Sequence, residues 1–255
     1  LIPARMDSSR FPGKPLTPIL GMPMIGHVYE RVNRCKLLVE TVVCTCDREI
    51  IQYIESLSGK AVMTSNQHER ASDRCAEALM LLEEEQSEPY DIVVMVQGDE
   101  PMTHPDMITE AVQPMLENPN ILVVNLLGQI SGNDEFVNPN CIKVVCDLKN
   151  NALYFSREPV PARFTTNKVP FGKQVCIIPF RRDFLLEYTS MTPTPLEIAE
   201  SIDMLRILEH GMTVRLVPTK YNTIAVDTEV DRQNVEKLLA EDPITNLYCD
   251  FNKTT

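Results

Sequence analysis

Residues 90–101, YDIVVMVQGDEP, indicate how this chain folds. The unbroken apolar run Ile92–Val96 predicts a buried strand, and Gln97–Pro101 predict a polar loop at its carboxyl end. The flanking stretches 72–85 (SDRCAEALMLLEEE) and 105–118 (PDMITEAVQPMLEN) carry apolar residues at helical spacing, with Ser72 as a candidate N-cap. The centre of this region is therefore predicted to be helix, strand, helix.

The same alternation of strands and helices extends over residues 1–118. It predicts an α/β fold of the Rossmann-like kind, with a mostly parallel central sheet and helices on both faces. In such sheets ligands bind beyond the carboxyl ends of the strands. Three loops are therefore expected on one edge, namely 4–16, 64–73 and 97–101.

The second half of the chain has a more mixed pattern. It predicts one helix over residues 195–211, a strand at 223–228 (TIAVDT) and a final helix over 229–242. No linker interrupts the chain, so we expect a single domain, 1–255. Its second half is predicted to extend the same sheet and to supply a smaller lid or dimerisation region.

Composition excludes several classes of protein. The chain has 255 residues, 44% hydrophobic and 24% charged, which is typical of a globular protein. A net charge of -12 argues against a nucleic-acid partner, which needs a basic face. We expect no membrane span and no secretory leader. Because residue 1 already lies within a strand pattern, some native residues are expected to precede it.

The chain has eight cysteines, which could form disulfides or bind zinc. Their spacing completes no zinc set, because Cys44 and Cys46 form C-x-C and no second pair follows. We therefore expect eight reduced thiols in a cytoplasmic protein.

The opening residues 1–16, LIPARMDSSRFPGKPL, combine a strand end with a polar, turn-rich loop. The loop contains Arg5, Ser8, Ser9, Arg10, Gly13 and Lys14. Cations, hydroxyls and a flexible glycine can surround a polyphosphate. The P-loop and G-x-G-x-x-G patterns are absent, and a solvated basic loop is the alternative.

Two aspartates follow apolar runs in the same way. Asp99 lies just after the run Ile92–Val96, and Asp227 ends TIAVD at residues 223–227. Each alone could be a turn former or helix cap. Beside a phosphate-binding loop, the two carboxylates together favour a Mg²⁺ site, since this ion prefers oxygen ligands.

Six motifs together resemble the 3-deoxy-manno-octulosonate cytidylyltransferases, also called CMP-Kdo synthetases. They are IPARMDSSRFPGKPL (2–16), MTSNQHERASDR (63–74), VQGDEP (96–101), NPNCIKVV (138–145), ALYFSR (152–157) and VDTEVD (226–231). The resemblance implies a nucleotide-diphospho-sugar transferase-like fold, a homodimer, and a place in lipopolysaccharide biosynthesis. It also implies CTP and Mg²⁺ as partners, and transfer of CMP to a small acidic sugar with release of pyrophosphate. It further implies that residues up to about 125 are the nucleotide-binding half, and that residues from about 126 are the acceptor and dimerisation half.

The resemblance assigns roles by position. Catalysis is expected from Arg5, Lys14, Asp99 and Asp227, of which the two aspartates are the metal ligands. The nucleotide is expected to contact Ala4, Arg5, Ser8, Ser9, Arg10, Lys14, Ser72, Arg74 and Gln97. The acceptor is expected to contact Gln97, Arg157, Gln174 and Asp203. Among the histidines, His68 is the first candidate for a role in the nucleotide turn.

The chain departs from the family pattern at three places. Ala71 replaces a glycine, Lys173-Gln174 replace Arg-His, and Asp203-Met204 replace Glu-Gln. Because unpaired buried polar groups are costly, such changes are expected to alter acceptor preference. The acceptor could be 3-deoxy-manno-octulosonate, a related ulosonic acid or a phosphonate. A nucleotidyltransferase using another base or a sugar phosphate, and an inactive nucleotide-binding regulator, remain alternatives.

Overall fold

The computed structural model describes residues 1–7, 11–162 and 171–249. These residues divide into two compact units. Unit 1 contains residues 1–90, 95–109 and the described residues from 223 onward, whereas unit 2 contains 91–94 and the described part of 110–222. The nucleotide-binding and acceptor halves inferred from the sequence stay a prediction.

Unit 1 contains a parallel sheet in the order β1-β4-β5, whose strands are Ile2–Ala4, Val42–Thr45 and Lys60–Met63. Strand β6, Ile92–Val96, ends beside β1, because the backbone N–H of Val96 donates to the carbonyl of Leu1 over 3.0 Å. The predicted α/β fold is thus confirmed. A small antiparallel pair, β2 (Pro18–Ile19) and β3 (Met22–Pro23), follows the opening loop.

The helices of unit 1 are α1 (Met24–Val32), α2 (Arg48–Ser56), α3 (Ala71–Glu83), the start of α4 (Pro105–Glu117) and α9 (Glu229–Glu241). Helices α1, α2 and α3 connect the parallel strands of unit 1, whereas α4 follows β6 and α9 is the last α-helix of the described chain. Short 3-10 helices cover Lys14–Leu16 and Thr245–Leu247. Val226, Val235 and Leu239 pack with Ile19 and Met24, so apolar burial holds the last helix against the first.

Unit 2 contains a five-stranded sheet in the order β12-β7-β10-β8-β9. In chain order its strands are β7 (Val124–Gly128), β8 (Lys143–Cys146), β9 (Ala152–Ser156), β10 (Phe171–Val175) and β12 (Arg215–Pro218). Within the sheet, β12 and β7 are parallel and the other pairs are antiparallel. Strand β11, Ile177–Arg181, pairs with β6. The helices are α5 (Asn133–Val137), α6 (Arg182–Ser190), α7 (Pro195–Glu200) and α8 (Met204–Glu209).

Two predicted elements are wrong. The single helix expected over 195–211 is divided into α7 and α8, because Ser201 adopts a left-handed conformation with φ 53° and ends α7. The strand expected at 223–228 is absent from the described residues there. Its apolar side chains Ile224 and Val226 instead pack against the core of unit 1.

Within the described part of the chain, no helix is both long enough and apolar enough to span a membrane.

Candidate phosphate and cation site

The opening loop leaves the sheet at Ala4, and its two arms meet where Gly13 contacts Met6. The backbone N–H of Met6 donates to Asp47 Oδ2 over 2.8 Å, and that of Gly13 donates to the Met6 carbonyl over 3.1 Å. Gly13 has φ +73°, a conformation that side chains disfavour. Hydrogen bonds therefore hold the loop in place at Met6 and at Gly13. The predicted nucleotide contacts Ser8, Ser9 and Arg10 lie outside the described residues.

Lys14 lies between the two predicted metal carboxylates. Its Nζ is 2.7 Å from Asp99 Oδ2 and 3.0 Å from Asp227 Oδ1, although these residues are 85 and 213 positions away in the sequence. Lys14 is only 8% exposed. The structure thus brings together three of the four predicted catalytic residues.

Asp99 reaches this position because Gly98 allows the loop to lie against β1. A Cβ at Gly98 would lie 2.9 Å from the Pro3 carbonyl oxygen and 3.1 Å from Ile25, closer than ordinary contacts. The N–H of Glu100 then donates to the Gln97 carbonyl over 3.3 Å and closes the turn. Gln97, which directly follows β6, is half-buried.

The Asp227 segment is joined to the Asp99 loop by two hydrogen bonds. The N–H of Val226 donates to the Asp99 carbonyl over 3.0 Å, and the Thr223 hydroxyl donates to the Glu100 carboxylate. After Asp227 the chain enters α9 through a capping box at Thr228. These contacts fix the separation of the two aspartate backbones.

Arg31 holds the Asp99 loop from inside the unit. Its guanidinium is buried, donates to the Thr103 carbonyl over 2.7 Å and forms an ion pair with Asp242. The Thr103 hydroxyl in turn donates to the Glu100 carbonyl over 2.9 Å.

Arg31, Glu100 and Thr223 were not predicted as functional residues from the sequence. For Arg31 the one signal in the sequence is a charged residue within the apolar helix around Val28 and Val32. Glu100 and Thr223 carry no such signal, because each lies in a polar or mixed stretch beside a predicted aspartate.

The electrostatics of the site favour a cation. Burial alone would lower the pKa of Lys14, but the charges and hydrogen bonds of Asp99 and Asp227 outweigh it and raise the pKa above 10.5. The ammonium therefore stays charged between the two carboxylates.

Asp99 and Asp227 also fit a magnesium ion. Mg²⁺ is commonly held by one or two carboxylates together with substrate phosphates. The described residues contain no group of three or more His, Cys, Asp or Glu side chains that could hold a metal alone. Two carboxylates beside the loop that is predicted to bind phosphate therefore match the chemistry that this ion needs.

The remaining predicted catalytic residue is Arg5, which directly follows β1 and is exposed. Ala4, one of the predicted nucleotide contacts, is the buried last residue of that strand and lies opposite Thr45 in the register. Neither contacts the Lys14 cluster through a hydrogen bond among the described residues.

The predicted nucleotide turn is organised by Arg74. This buried side chain donates to Thr64 Oγ1 over 2.6 Å and to the Ser65 carbonyl over 3.2 Å. His68 contacts Glu77 over 2.5 Å, so it also belongs to the turn.

The predicted capping role of Ser72 is wrong. Arg70 holds the N-cap position of α3, because the helix begins at Ala71. Ser72 lies in the first turn instead, where its buried hydroxyl has no hydrogen-bond partner among the described residues.

The predicted acceptor residues of unit 2 have protein partners. Arg157 donates to the Glu200 carbonyl over 2.7 Å and to the Pro139 carbonyl over 3.1 Å, which ties α7 to the end of β9. Gln174 donates to Asn125 Oδ1 over 2.7 Å. Asp203 precedes α8 and accepts the Tyr188 hydroxyl on its carbonyl over 3.1 Å. Their acceptor role stays a prediction.

Lys173, beside Gln174, donates to Glu135 Oε1 over 2.6 Å and to Asn222 Oδ1 over 3.2 Å. Burial would raise the pKa of Glu135, but its hydrogen bonds with Lys173 and the Ser131 backbone lower it. This part of unit 2 therefore holds a charged, hydrogen-bonded network.

The chain is similar in sequence and structure to known cytidylyltransferases. A protein-family model described as cytidylyltransferase matches residues 1–214. The 3-deoxy-manno-octulosonate cytidylyltransferase of Geobacter sulfurreducens is 43% identical, with 93% of this chain and 98% of that protein covered. The protein with the same description from Geobacter metallireducens is 41% identical, with 93% and 96% covered. A solved structure of CMP:2-keto-3-deoxy-manno-octonic acid synthetase complexed with CTP has a TM-score of 0.85 at 38% identity and covers 94% of this chain and 97% of that one.

Proposed function

The chain belongs to the 3-deoxy-manno-octulosonate cytidylyltransferase family, and we propose that it transfers CMP from CTP to 3-deoxy-manno-octulosonate and releases pyrophosphate. The observation that carries this proposal is the meeting of Lys14, Asp99 and Asp227 in one cluster. Attack of one anion on another requires neutralised charge and in-line positioning more than a protein nucleophile.

Lys14 is the phosphate-binding cation of this proposal. An ammonium has three N–H donors, of which two already point to Asp99 and Asp227, so a phosphate oxygen can take the third. Arg5 adds a planar guanidinium suited to phosphate at the exposed end of β1. Together they stabilise the charge that develops on the departing pyrophosphate.

Asp99 and Asp227 would hold Mg²⁺, which when bound neutralises phosphate charge and polarises the phosphoryl oxygens. The residues behind them keep both carboxylates in place. Thr223, Glu100 and Arg31 serve this purpose through the hydrogen bonds that they form within the Asp99 and Asp227 segments.

The turn at 64–74 is proposed to receive the nucleoside. Ser72 supports this role, because its buried hydroxyl retains unused hydrogen-bonding capacity within the described chain. Arg74 acts as a positioning residue, since its guanidinium holds the turn together. Ala4, Ser8, Ser9, Arg10 and Gln97 complete the proposed nucleotide contacts.

In unit 2, Arg157, Gln174 and Asp203 are proposed to contact the acceptor. The hydrogen bond between Gln174 and Asn125 and the ion pair between Lys173 and Glu135 place polar and charged groups in this region, at positions where the family pattern has Arg-His. A related ulosonic acid or a phosphonate is therefore the second acceptor to test.

We also propose that the chain acts as a cytoplasmic homodimer, as the family resemblance implies. Leu148 in the β8–β9 turn, Leu153 on β9 and Ile198 on α7 are exposed apolar side chains of unit 2, and burying them against a second copy would stabilise a dimer. Sedimentation analysis of the full chain would test the dimer.

The experiment that tests the function measures pyrophosphate release. The full chain is incubated with Mg²⁺, each of the four nucleoside triphosphates, and 3-deoxy-manno-octulosonate, another ulosonic acid or a phosphonate. We expect release with CTP and an ulosonic acid. Release with another triphosphate but not CTP would contradict the cytidine assignment, and binding of CTP with no release under any condition would favour a regulator.

A further inference from the structure

We propose that Gln174 presents its amide oxygen, in one fixed orientation, to a hydroxyl group of the substrate that receives CMP, and that Asn125 sets this orientation. This inference rests on the proposed function and concerns which chemical group of that substrate Gln174 recognises. It starts from the hydrogen bond of 2.7 Å that Gln174 Nε2 donates to Asn125 Oδ1.

The amide of Asn125 is held in one orientation by the backbone. Asn125 is fully buried, and its Nδ2 donates to the Leu126 carbonyl over 2.7 Å and to the Val175 carbonyl over 3.0 Å. Because a carbonyl only accepts hydrogen bonds, the NH₂ end of the amide is the end that satisfies both. If Oδ1 took that place, it would face two carbonyl oxygens with no hydrogen between them, which is costly in a buried position.

The orientation of Gln174 follows from that of Asn125. Since Asn125 Oδ1 only accepts, the Gln174 atom 2.7 Å from it must be Nε2. Gln174 Oε1 is then the amide atom turned away from Asn125, and it has no hydrogen-bond partner among the residues that the structure describes. Gln174 is half-buried, so its side chain is not sealed inside the core. Its oxygen is therefore available to a hydrogen-bond donor of the substrate.

The sheet of unit 2 keeps the two amides together. Gln174 on β10 lies opposite Leu127 on β7, and Asn125 comes two positions before Leu127, so both amides lie on the same face of the sheet. The Gln174 N–H also donates to the Ile142 carbonyl over 2.8 Å, which holds β10 on its other side. A side chain on a strand within a sheet is positioned more precisely than one on a loop.

This arrangement selects a substrate by its hydroxyl groups. A hydroxyl can donate to Gln174 Oε1, whereas a deprotonated carboxylate or phosphonate oxygen has no hydrogen to give. A site built to bind a hydroxyl discriminates against an analogue that lacks it. The substrate class that fits Gln174 is therefore a polyhydroxylated sugar acid, and a phosphonate without hydroxyl groups cannot use this contact.

The test examines the non-reacting hydroxyls of 3-deoxy-manno-octulosonate one at a time. In each analogue one hydroxyl is replaced by fluorine, which cannot donate a hydrogen bond. The full chain is supplied with CTP and Mg²⁺, and kcat/KM for pyrophosphate release is measured with each sugar acid. In the natural protein we expect one analogue to lose about 2- to 12-fold relative to the parent sugar acid because of Gln174, the usual contribution of one neutral hydrogen bond.

Two variants show whether this discrimination comes from the amide pair. Gln174→Met keeps the length of the side chain but has no amide, so the ratio of kcat/KM between the parent sugar acid and that analogue should fall toward one. Asn125→Ala leaves Gln174 in place but frees its amide to reverse, so it should reduce the same ratio.

Asn151→Ala is the matched control. Asn151 also lies in unit 2, where its amide donates to Asp147 Oδ2 over 3.0 Å and accepts from Arg215 over 3.0 Å. This variant should keep the ratio of the natural protein. Circular dichroism confirms folding, and Gln174→Met decides alone if Asn125→Ala does not fold. A ratio that is the same in the natural protein and in Gln174→Met, or in a folded Asn125→Ala, would overturn the inference.

Pyrophosphate release by the natural protein separates this inference from the proposed function. Release with an ulosonic acid, but without discrimination that depends on Gln174, would contradict the inference alone. If no ulosonic acid gives release, the proposed function fails, and titration calorimetry of the same sugar acids against the full chain tests the inference. A loss of affinity on fluorine replacement that disappears in Gln174→Met would support it, and the absence of such a loss would overturn it.

Discussion

Thr223→Val tests how the two aspartates are held at their separation. The Thr223 hydroxyl donates to the Glu100 carboxylate, and both residues are 5% exposed. Valine has nearly the same shape but no hydroxyl, so the buried carboxylate loses one donor. Hydrogen bonds to charged groups contribute about 1.5–3 kcal/mol.

The expected loss of stability can be converted into a melting temperature. For a chain of this size about 1 kcal/mol corresponds to roughly 2–4 °C, so Tm should fall by about 3–12 °C. Asp227 lies four positions after Thr223, and its neighbour Val226 bonds to the Asp99 carbonyl. A small misplacement of a catalytic group can cost up to about 10²-fold in rate. If loss of the Thr223 hydroxyl shifts Asp227 relative to Asp99, kcat should fall roughly 10- to 100-fold.

Thr219→Val is the matched control. Thr219 is 4% exposed and donates to the Glu110 carboxylate over 2.6 Å, but it lies in unit 2 and forms no hydrogen bond with either aspartate within the described chain. Thermal unfolding followed by circular dichroism and initial rates of pyrophosphate release are measured for both variants. Both should lose stability, and Thr223→Val alone should lose rate. Equal rates in the two variants would refute a positioning role for the Thr223–Glu100 contact.

Four further substitutions, with Gly132→Ala as a control for one of them, test other parts of the site and its surroundings. Asp99→Asn and Asp227→Asn should each reduce kcat by on the order of 10²–10³ while the circular dichroism spectrum stays unchanged, and near-normal rates in both would remove the metal assignment. Gly98→Ala should destabilise the protein by about 1–3 kcal/mol through the clash with Pro3, whereas Gly132→Ala, with open space around it, should not; equal denaturation midpoints would contradict this. Burial lowers the pKa of His27 below 6.5, and the charge of Arg31 lowers it further, whereas the Ile19 carbonyl and Glu236 oppose the shift. The neutral imidazole therefore contributes to stability above pH 6.5, and this contribution is lost as the pH falls. Urea denaturation between pH 7 and 5 should therefore have a shallower pH dependence in His27→Gln, by up to about 1.4 kcal/mol per pH unit, and parallel curves for the two proteins would contradict the shift.

The residues predicted most directly from the sequence are those at strand ends. Asp99 follows an apolar run, and the edge of a parallel sheet gathers such positions, so the sequence alone predicts its place near the opening loop. Lys14 was predicted to bind phosphate because several cations lie together in the opening loop. Their direct contact could not be derived, because it depends on where the loop returns through Gly13.

The supporting residues required tertiary information. Arg31, Glu100 and Thr223 act through contacts between segments far apart in the chain, for which spacing gives no signal. The apolar alternation at 223–227 predicted a strand, yet the same alternation also suits an extended segment whose side chains enter the core. The break at Ser201 arises from one left-handed residue inside a helical pattern, and serine is not a residue type that predicts this conformation.

The most direct measurement is the anomalous scattering of Mn²⁺ in crystals of the full chain grown with CTP. We predict one strong manganese peak bonded by the Asp99 and Asp227 carboxylates, with the triphosphate in contact with Lys14 Nζ. A peak bound elsewhere, or a triphosphate that leaves the Lys14 ion pairs intact and lies away from both aspartates, would contradict the assignment of this cluster as the reacting site.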